Sequence, residues 1–151
     1  MQDTNVPIPH PELKKLEVFI GKWMNDGYTV ETPDAPSERI LTSDIYEWAT
    51  GGHFVVHTAY GRIGNKDVGG IELIGYDEAS KKYKSYFYDS HGNVSTDEFE
   101  IDGDTCKWEG ETTGCNAVFT ENGKVQTAHH IRRDENGQWV PAMEVVLTKV
   151  Q

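Results

Sequence analysis

Hydrophobic and polar residues alternate with a period of two along most of the chain after Trp23. Between residues 83 and 89, Tyr86 and Tyr88 share one face of the segment. Ser85 and Phe87 share the other face. Side chains point to alternate sides of an extended chain, so this period predicts β-strands.

Nine groups of turn-forming residues interrupt the alternation and delimit ten predicted strands. They fall at residues 33–37, 51–52, 61–66, 77–80, 90–93, 102–103, 110–114, 122–123 and 136–137. The last two are Asn-Gly pairs, which supply the positive φ angles of tight hairpin turns. Connections this short leave little room for crossovers. We therefore expect an all-β fold, a single antiparallel up-and-down β-barrel of about ten strands.

One short helix is predicted before the barrel, because Leu13, Leu16 and Ile20 recur at helical spacing. A helix in this position can close one end of a barrel. The whole chain, residues 1–151, is expected to form one β-barrel domain. Its parts are a polar lead-in at 1–10, the helix at 11–20 and the barrel at 22–150.

The balance of charge limits the classes of partner. Fourteen Lys and Arg accompany 25 Asp and Glu, which gives a formal net charge of −11. Nucleic acids and anionic membrane surfaces bind clustered basic residues, so we expect neither as a partner. The first nine residues lack a signal-peptide pattern and no apolar stretch reaches membrane-spanning length. These features favour a soluble, cytoplasmic protein.

The chain has two cysteines, Cys106 and Cys115, separated by a predicted turn at Gly110-Glu111. A hairpin with this turn places the two residues directly opposite each other. Because structural disulfides are rare in a reducing cytosol, we expect two buried thiols rather than a bond.

Several short motifs together resemble a known family. Gly21-x-Trp23 after a helix is similar to the signature of lipocalins and fatty-acid-binding proteins. The other motifs are Gly51-Gly52-x-Phe54, Gly75-Tyr76-Asp77, Asp89-Ser90-x-Gly92 and the closing segment 144–149. From Pro11 to its end the chain resembles a bacterial lipocalin-like (calycin) family of unknown function. The resemblance implies a β-barrel and supplies no catalytic residues. The large indole of Trp23 is expected to plug one barrel end and hold the helix against it.

The early Gly-x-Trp is also similar to that of the haem-binding nitrobindin group. This chain lacks the regular glycine spacing of that group, and no histidine after His130 matches its haem ligand. We therefore expect no cofactor, with haem as the alternative.

The histidines are candidates for chemistry in a barrel interior. His53 and His57 share a predicted strand face, but their Cα atoms would be roughly 13 Å apart at about 3.3 Å per residue, too far to hold one metal ion together. His129 and His130 point to opposite faces. We expect His129 to enter the barrel, because Val125 and Ile131 share its face. No metal site is predicted.

Two polar motifs have simple structural explanations. Asp89-Ser90-His91 suits a turn better than an activated serine, because adjacent turn residues do not form the required geometry. The acidic stretch Asp97-Glu98-x-Glu100 favours a solvated strand face. Its alternative is a carboxylate inside the barrel that orients a polar ligand. No catalytic residue is assigned.

Aromatic residues on the predicted strands could line an apolar cavity with a few polar groups, as in many small-molecule sites. The favoured function is therefore non-enzymatic binding of a small, largely apolar molecule in the barrel. The candidate ligand-binding residues are His53, His57, Tyr86, Tyr88, Trp108 and His129. One alternative is an enzyme with a pocket histidine as general base. The other is a homodimeric interaction module without a ligand.

Overall fold

A computed structural model describes residues 6–151, and these form a closed barrel of ten antiparallel strands. Each strand pairs with its neighbour in the chain, and the last pairs with the first, so the predicted up-and-down barrel is confirmed. Residues 1–5 of the predicted lead-in lie outside the described residues. The strands are β1 (Gly21–Thr29), β2 (Arg39–Trp48), β3 (Val55–Ile63), β4 (Lys66–Asp77), β5 (Lys82–Asp89), β6 (Val94–Asp102), β7 (Thr105–Glu109), β8 (Thr113–Thr120), β9 (Val125–Arg133) and β10 (Trp139–Lys149).

The predicted helix is a 3-10 helix at Pro11–Phe19. Its buried residues are Leu13, Leu16 and Phe19, which recur every third position. A 3-10 helix has three residues per turn, and this places Phe19 on the apolar face instead of the predicted Ile20. Among the described residues, no helix has the length and apolar character needed to cross a bilayer.

Hydrogen bonds from the barrel hold this helix across one end. The fully buried Trp23 donates its indole N–H to the Phe19 carbonyl at 2.7 Å. The Tyr83 hydroxyl donates to the Glu12 carbonyl at 2.5 Å, and Lys149 Nζ donates to the Val18 carbonyl at 3.0 Å. Side chains of β1, β5 and β10 therefore hold the helix, and Trp23 packs against it at the predicted end of the barrel.

The chain approaches itself closely at Gly21, which begins β1 with φ of +130°. A Cβ atom here would collide with the backbone of Gln151. Glycine is therefore required by the close approach and by the backbone angle.

The apolar core lies at the helix end of the barrel. The Phe19 ring stacks on Tyr46 at a centroid distance of 5.4 Å and meets the edges of Phe99 and Phe119. These aromatic side chains fill the end of the barrel next to the helix. The rest of the barrel interior contains a cavity.

Candidate functional site

The barrel encloses a cavity of about 570 Å³ above the aromatic core. It extends from Phe19, the last residue of the helix, to Ser90 and His91 in the connection between β5 and β6. Those two residues lie at the end opposite the helix, where the cavity meets solvent.

The cavity has two chemically different walls. Strands β1–β6 contribute most of its polar side chains, among them Asn25, Thr42, Asp44, His57, Glu72, Ser85 and Asp97. Strands β7–β10 contribute a mostly apolar wall that includes Trp108, Cys115, Ala117, Ala128, Val145 and Leu147. Gln126 and His130 are polar groups within this second wall.

His57 is at the centre of the polar wall, held between two carboxylates. Its Nε2 lies 2.7 Å from Asp44 Oδ1, and its Nδ1 lies 2.8 Å from Glu72 Oε1. The ring stacks on Tyr46, with centroids 3.9 Å apart and planes 8° from parallel. Strands β2, β3 and β4 place the three charged groups side by side, since His57 is paired with both Tyr46 and Glu72 in the sheet.

The two carboxylates determine the charge of His57. Burial alone would lower its pKa, but the hydrogen bonds and charges of Asp44 and Glu72 oppose this and raise the pKa to about 9. An imidazole donates from both nitrogens only when protonated, so His57 is an imidazolium at neutral pH. Both nitrogens are occupied, which leaves neither one free to accept a proton from a substrate.

Asn25 extends the network from β1. Its Nδ2 donates to Asp44 Oδ2 at 2.6 Å and to Thr42 Oγ1 at 2.9 Å. These bonds fix the amide orientation, and Asn25 Oδ1 is left buried with no partner among residues 6–151. Gln126 Nε2, on β9, is also buried without a partner in this part of the chain.

Asp97 faces the cavity from β6, so the solvated-face prediction is wrong for this residue. Burial raises its pKa, and the charge of Glu72 raises it further. The neighbouring Glu98 has the opposite orientation, with Lys82 and Lys84 each 3.9 Å away. Neighbouring residues of this stretch therefore face opposite sides of the strand: Asp97 faces the cavity, and Glu98 forms ion pairs on the surface.

His130, rather than His129, enters the barrel from β9, so that prediction is wrong. His129 is exposed and pairs with Glu144 on the outer face. His130 packs edge-on against Trp108, with ring centroids 5.7 Å apart. Burial lowers the pKa of His130 to about 4, and it is therefore neutral near pH 7.

The structure brings only two of the six predicted ligand-binding residues, His57 and Trp108, into the cavity wall. His53 precedes β3 instead of lying on it, and its Nε2 is 3.3 Å from the Pro7 carbonyl. With His129 it lies outside the cavity.

Tyr86 and Tyr88 are also outside, exposed on the outer face of β5. There they pair across strands with the exposed Leu73 and Ile71. This gives the barrel an apolar outer patch, and the homodimer alternative stays a prediction.

The two cysteines are diagonal neighbours and do not lie directly opposite each other as predicted. Cys106 pairs with Ala117, and Cys115 pairs with Trp108. Both thiols are buried and unbonded, and burial raises the pKa of each to about 12. The connection at 110–112 is longer than the predicted two-residue turn, and it shifts the partner of Cys115 by two residues, from Cys106 to Trp108.

Sequence reasoning missed Asn25, Asp44, Glu72 and Gln126. The available signal was strand parity, because Asp44 shares a face with Tyr46, and Glu72 shares a face with Ile74. A carboxylate two positions along a strand from a core residue points to the same side as that residue, and this pattern indicates the polar wall of the cavity. Among residues 6–151, no group of three His, Cys, Asp or Glu side chains is arranged to hold a metal ion.

Comparisons with known proteins agree with this fold. The chain is similar to the crystal structure of Rv2717c from M. tuberculosis, with a TM-score of 0.67 and 12% identity over 95% of this chain and 99% of that one. It is also similar to the S-type phycobiliprotein lyase CPES from Guillardia theta, with a TM-score of 0.57 and 9% identity over 91% of this chain and 92% of that one. At such identities the likeness shows a shared lipocalin-like barrel.

A comparison with curated proteins finds no match. The family of proteins of unknown function DUF1579 matches residues 8–149, almost the whole chain. This confirms the resemblance to a lipocalin-like family of unknown function, and the chain belongs to the DUF1579 family.

Proposed function

We propose that this protein binds a small molecule inside its barrel, as a binding protein rather than an enzyme. The observation that supports this proposal is the cavity of about 570 Å³ with its apolar and polar walls. The apolar body of the ligand would lie against β7–β10. Its polar group would meet the side chains of β1–β6.

The size and lining of the cavity suit this role. Small-molecule sites commonly have volumes of about 300–1,000 Å³, with apolar walls and a few placed polar groups. A ligand that buries about 200 Å² of apolar surface would gain roughly 5 kcal/mol before the costs of ordering, at about 25 cal/mol per Å². Burial on this scale is sufficient for measurable binding.

The state of His57 favours binding over general-base catalysis. A general base needs a free nitrogen near neutral pKa, whereas His57 is protonated and donates to both Asp44 and Glu72. The likeness to a phycobiliprotein lyase rests on 9% identity and extends to the fold, not to the activity.

Haem fits this cavity poorly. Among the described residues that line the cavity, there is no Lys or Arg to pair with its two propionate groups. The polar wall instead presents carboxylates to an incoming ligand, which would repel further negative charge.

A neutral fluorescent dye and a blocked cavity test the proposal. N-phenyl-1-naphthylamine should bind the wild-type protein saturably, one dye per chain, with increased emission. Ala128→Phe places a large side chain inside the cavity and should abolish this binding. The matched control is Thr127→Phe, the preceding residue on β9, which lies in an outer groove and should bind like wild type.

The two variants make the result decisive. No saturable signal from the wild-type protein would contradict the proposal. Equal dye binding by wild type and Ala128→Phe would place the dye outside the barrel and contradict it as well. Native mass spectrometry of the freshly purified protein would then give the mass of any bound ligand, which Ala128→Phe should lack.

A further inference from the structure

We infer that the cavity selects apolar molecules that carry a protonated amine or a similar cationic hydrogen-bond donor, held by Asp97 and Glu72. This inference rests on the proposed function and specifies the class of ligand. Three independent features of the cavity support it: its charge, the unpaired state of Asp97 and the unpartnered Asn25 oxygen.

The charge of the cavity wall favours a cation. Asp44 and Glu72 hold the imidazolium of His57, and Asp97 is a third carboxylate on the same wall. The lining contributed by residues 6–151 includes no Lys or Arg. The wall is therefore short of positive charge, and an enclosed, poorly solvated site strengthens the attraction for a ligand that supplies it.

Asp89, which also borders the cavity, does not need a ligand. Its carboxylate accepts the backbone N–H groups of His91 and Asn93, both at 2.9 Å, and the Asn93 amide at 3.1 Å. These bonds lower its pKa and close the turn between β5 and β6. Asp89 is thus a structural group at the open end.

Asp97, unlike Asp89, has no hydrogen-bond partner among the described residues to stabilise its carboxylate. Its carboxylate makes no hydrogen bond or ion pair with any of residues 6–151 and faces the cavity. Loss of hydration and the charge of Glu72 both disfavour its ionised form. A cation between Asp97 and Glu72 would replace the lost hydration and offset the repulsion between the two carboxylates.

The Asn25 oxygen points to a hydrogen-bond donor. Asn25 is only 6% exposed, and its amide nitrogen is already committed to Asp44 and Thr42. The remaining atom, Oδ1, can only accept, and it has no donor among the described residues. Buried polar atoms in folded proteins nearly always have partners, so a ligand N–H group or a water must supply this one.

Gln126 provides an adaptable group across the cavity. It is 5% exposed, and its amide nitrogen has no partner within residues 6–151. It lies in the apolar wall near Ala128 and Val145, where the body of the ligand would pack. The cavity thus has an apolar wall, where the Gln126 N–H lacks an acceptor among the described residues, and an acidic wall, where a cationic donor would bind.

Three naphthalene probes of similar shape and different charge test the inference. They are 1-naphthylmethylamine, 1-naphthalenemethanol and 1-naphthoate, with affinity measured by calorimetry at neutral pH. Charge-assisted hydrogen bonds are about twice as strong as neutral ones, so the amine should bind about tenfold more tightly than the alcohol. The naphthoate should bind more weakly than either.

Asp97→Asn removes the charge and keeps the shape, and it should reduce the preference for amine over alcohol from about tenfold to about twofold or less. Because Asp97 has no partner in the described chain, this change should not disturb folding. The control is Glu98→Gln, which removes the adjacent carboxylate on the outer face and should retain the full preference.

The outcomes separate this inference from the proposed function. Equal affinity for amine and alcohol would overturn the inference, while dye binding would still support a ligand-carrying barrel. The inference also fails if the amine does not bind a cavity that takes up the neutral dye. An amine preference that survives in Asp97→Asn would overturn the assignment of Asp97. A protein that binds neither dye nor probes would refute the proposed function itself.

Discussion

His57 should make the folded protein less stable as the pH rises above neutral. Its pKa is about 9 in the folded protein and 6.5 for the ordinary side chain. A folded-state pKa above the unfolded value means that the folded protein holds the proton more tightly. The stabilisation is therefore fully present below pH 6.5 and is lost as the pH rises through about 9.

The magnitude follows from the difference between these two pKa values. That difference corresponds to about 3 kcal/mol of stability when the imidazolium is fully formed. Between pH 6.5 and about pH 8.5, roughly 2 kcal/mol of this should be lost. His57 is 8% exposed, so solvent screens its carboxylate contacts weakly.

Urea denaturation between pH 6.5 and about pH 8.5 measures this loss. His130, with its lowered pKa, affects stability mainly below this window, and the two buried thiols mainly above it. His57→Gln should be less stable at pH 6.5 and should lose most of the pH dependence. The control His129→Gln removes an exposed histidine that also contacts a carboxylate, and it should keep the wild-type slope. A wild-type stability that is flat across the window, or an unchanged slope in His57→Gln, would refute this reasoning.

Three further predictions concern other parts of the barrel. Trp23→Ala should lower the free energy of unfolding by about 3–5 kcal/mol in chemical denaturation, because the indole is fully buried. The control Trp139→Ala should lower it much less. Equal losses in the two variants would show that Trp23 does not anchor the helix. Unfolded, non-reduced protein should show two reactive thiols, from Cys106 and Cys115, in a thiol titration; none would indicate a disulfide. The NMR signals of His130 should titrate near pH 4, with stability falling as the pH drops from 6.5 toward that value; a midpoint near 6.5 would mean that its ring is solvated.

The strands and turns could be predicted because their signals are local. All nine predicted breaks overlap connections between strands, and the Asn-Gly pairs at 122–123 and 136–137 both lie in turns. Local spacing also predicted the helix at residues 11–20. It assigned Ile20 to the buried face, because the sequence pattern does not distinguish a 3-10 helix from an α-helix.

The interior could not be predicted in the same way, because a cavity weakens the rule that apolar faces turn inward. On β9 the inner face carries Gln126, Ala128 and His130, while Val125 lies on the opposite face with His129. A side chain that borders an open cavity can be polar, so an inward face need not be the more apolar one. The prediction that His129 enters the barrel, which relied on apolar residues on its face, was therefore wrong. The contact of His57 with Glu72 depends on the pairing register of separate strands, which single-strand patterns do not contain.

The pairing of β1 with β10 has a consequence for how the chain reaches its native state. Seven residue pairs, from Trp23 with Lys149 to Thr29 with Met143, join the two ends of the sequence. A chain that lacks β10 cannot form them, so the sheet keeps two unpaired edges until β10 is present. We expect folding to be slow for the length of the barrel, because the loop between β1 and β10 must close before the last pairing forms. Truncation before Trp139 should therefore produce aggregating protein, not a smaller barrel.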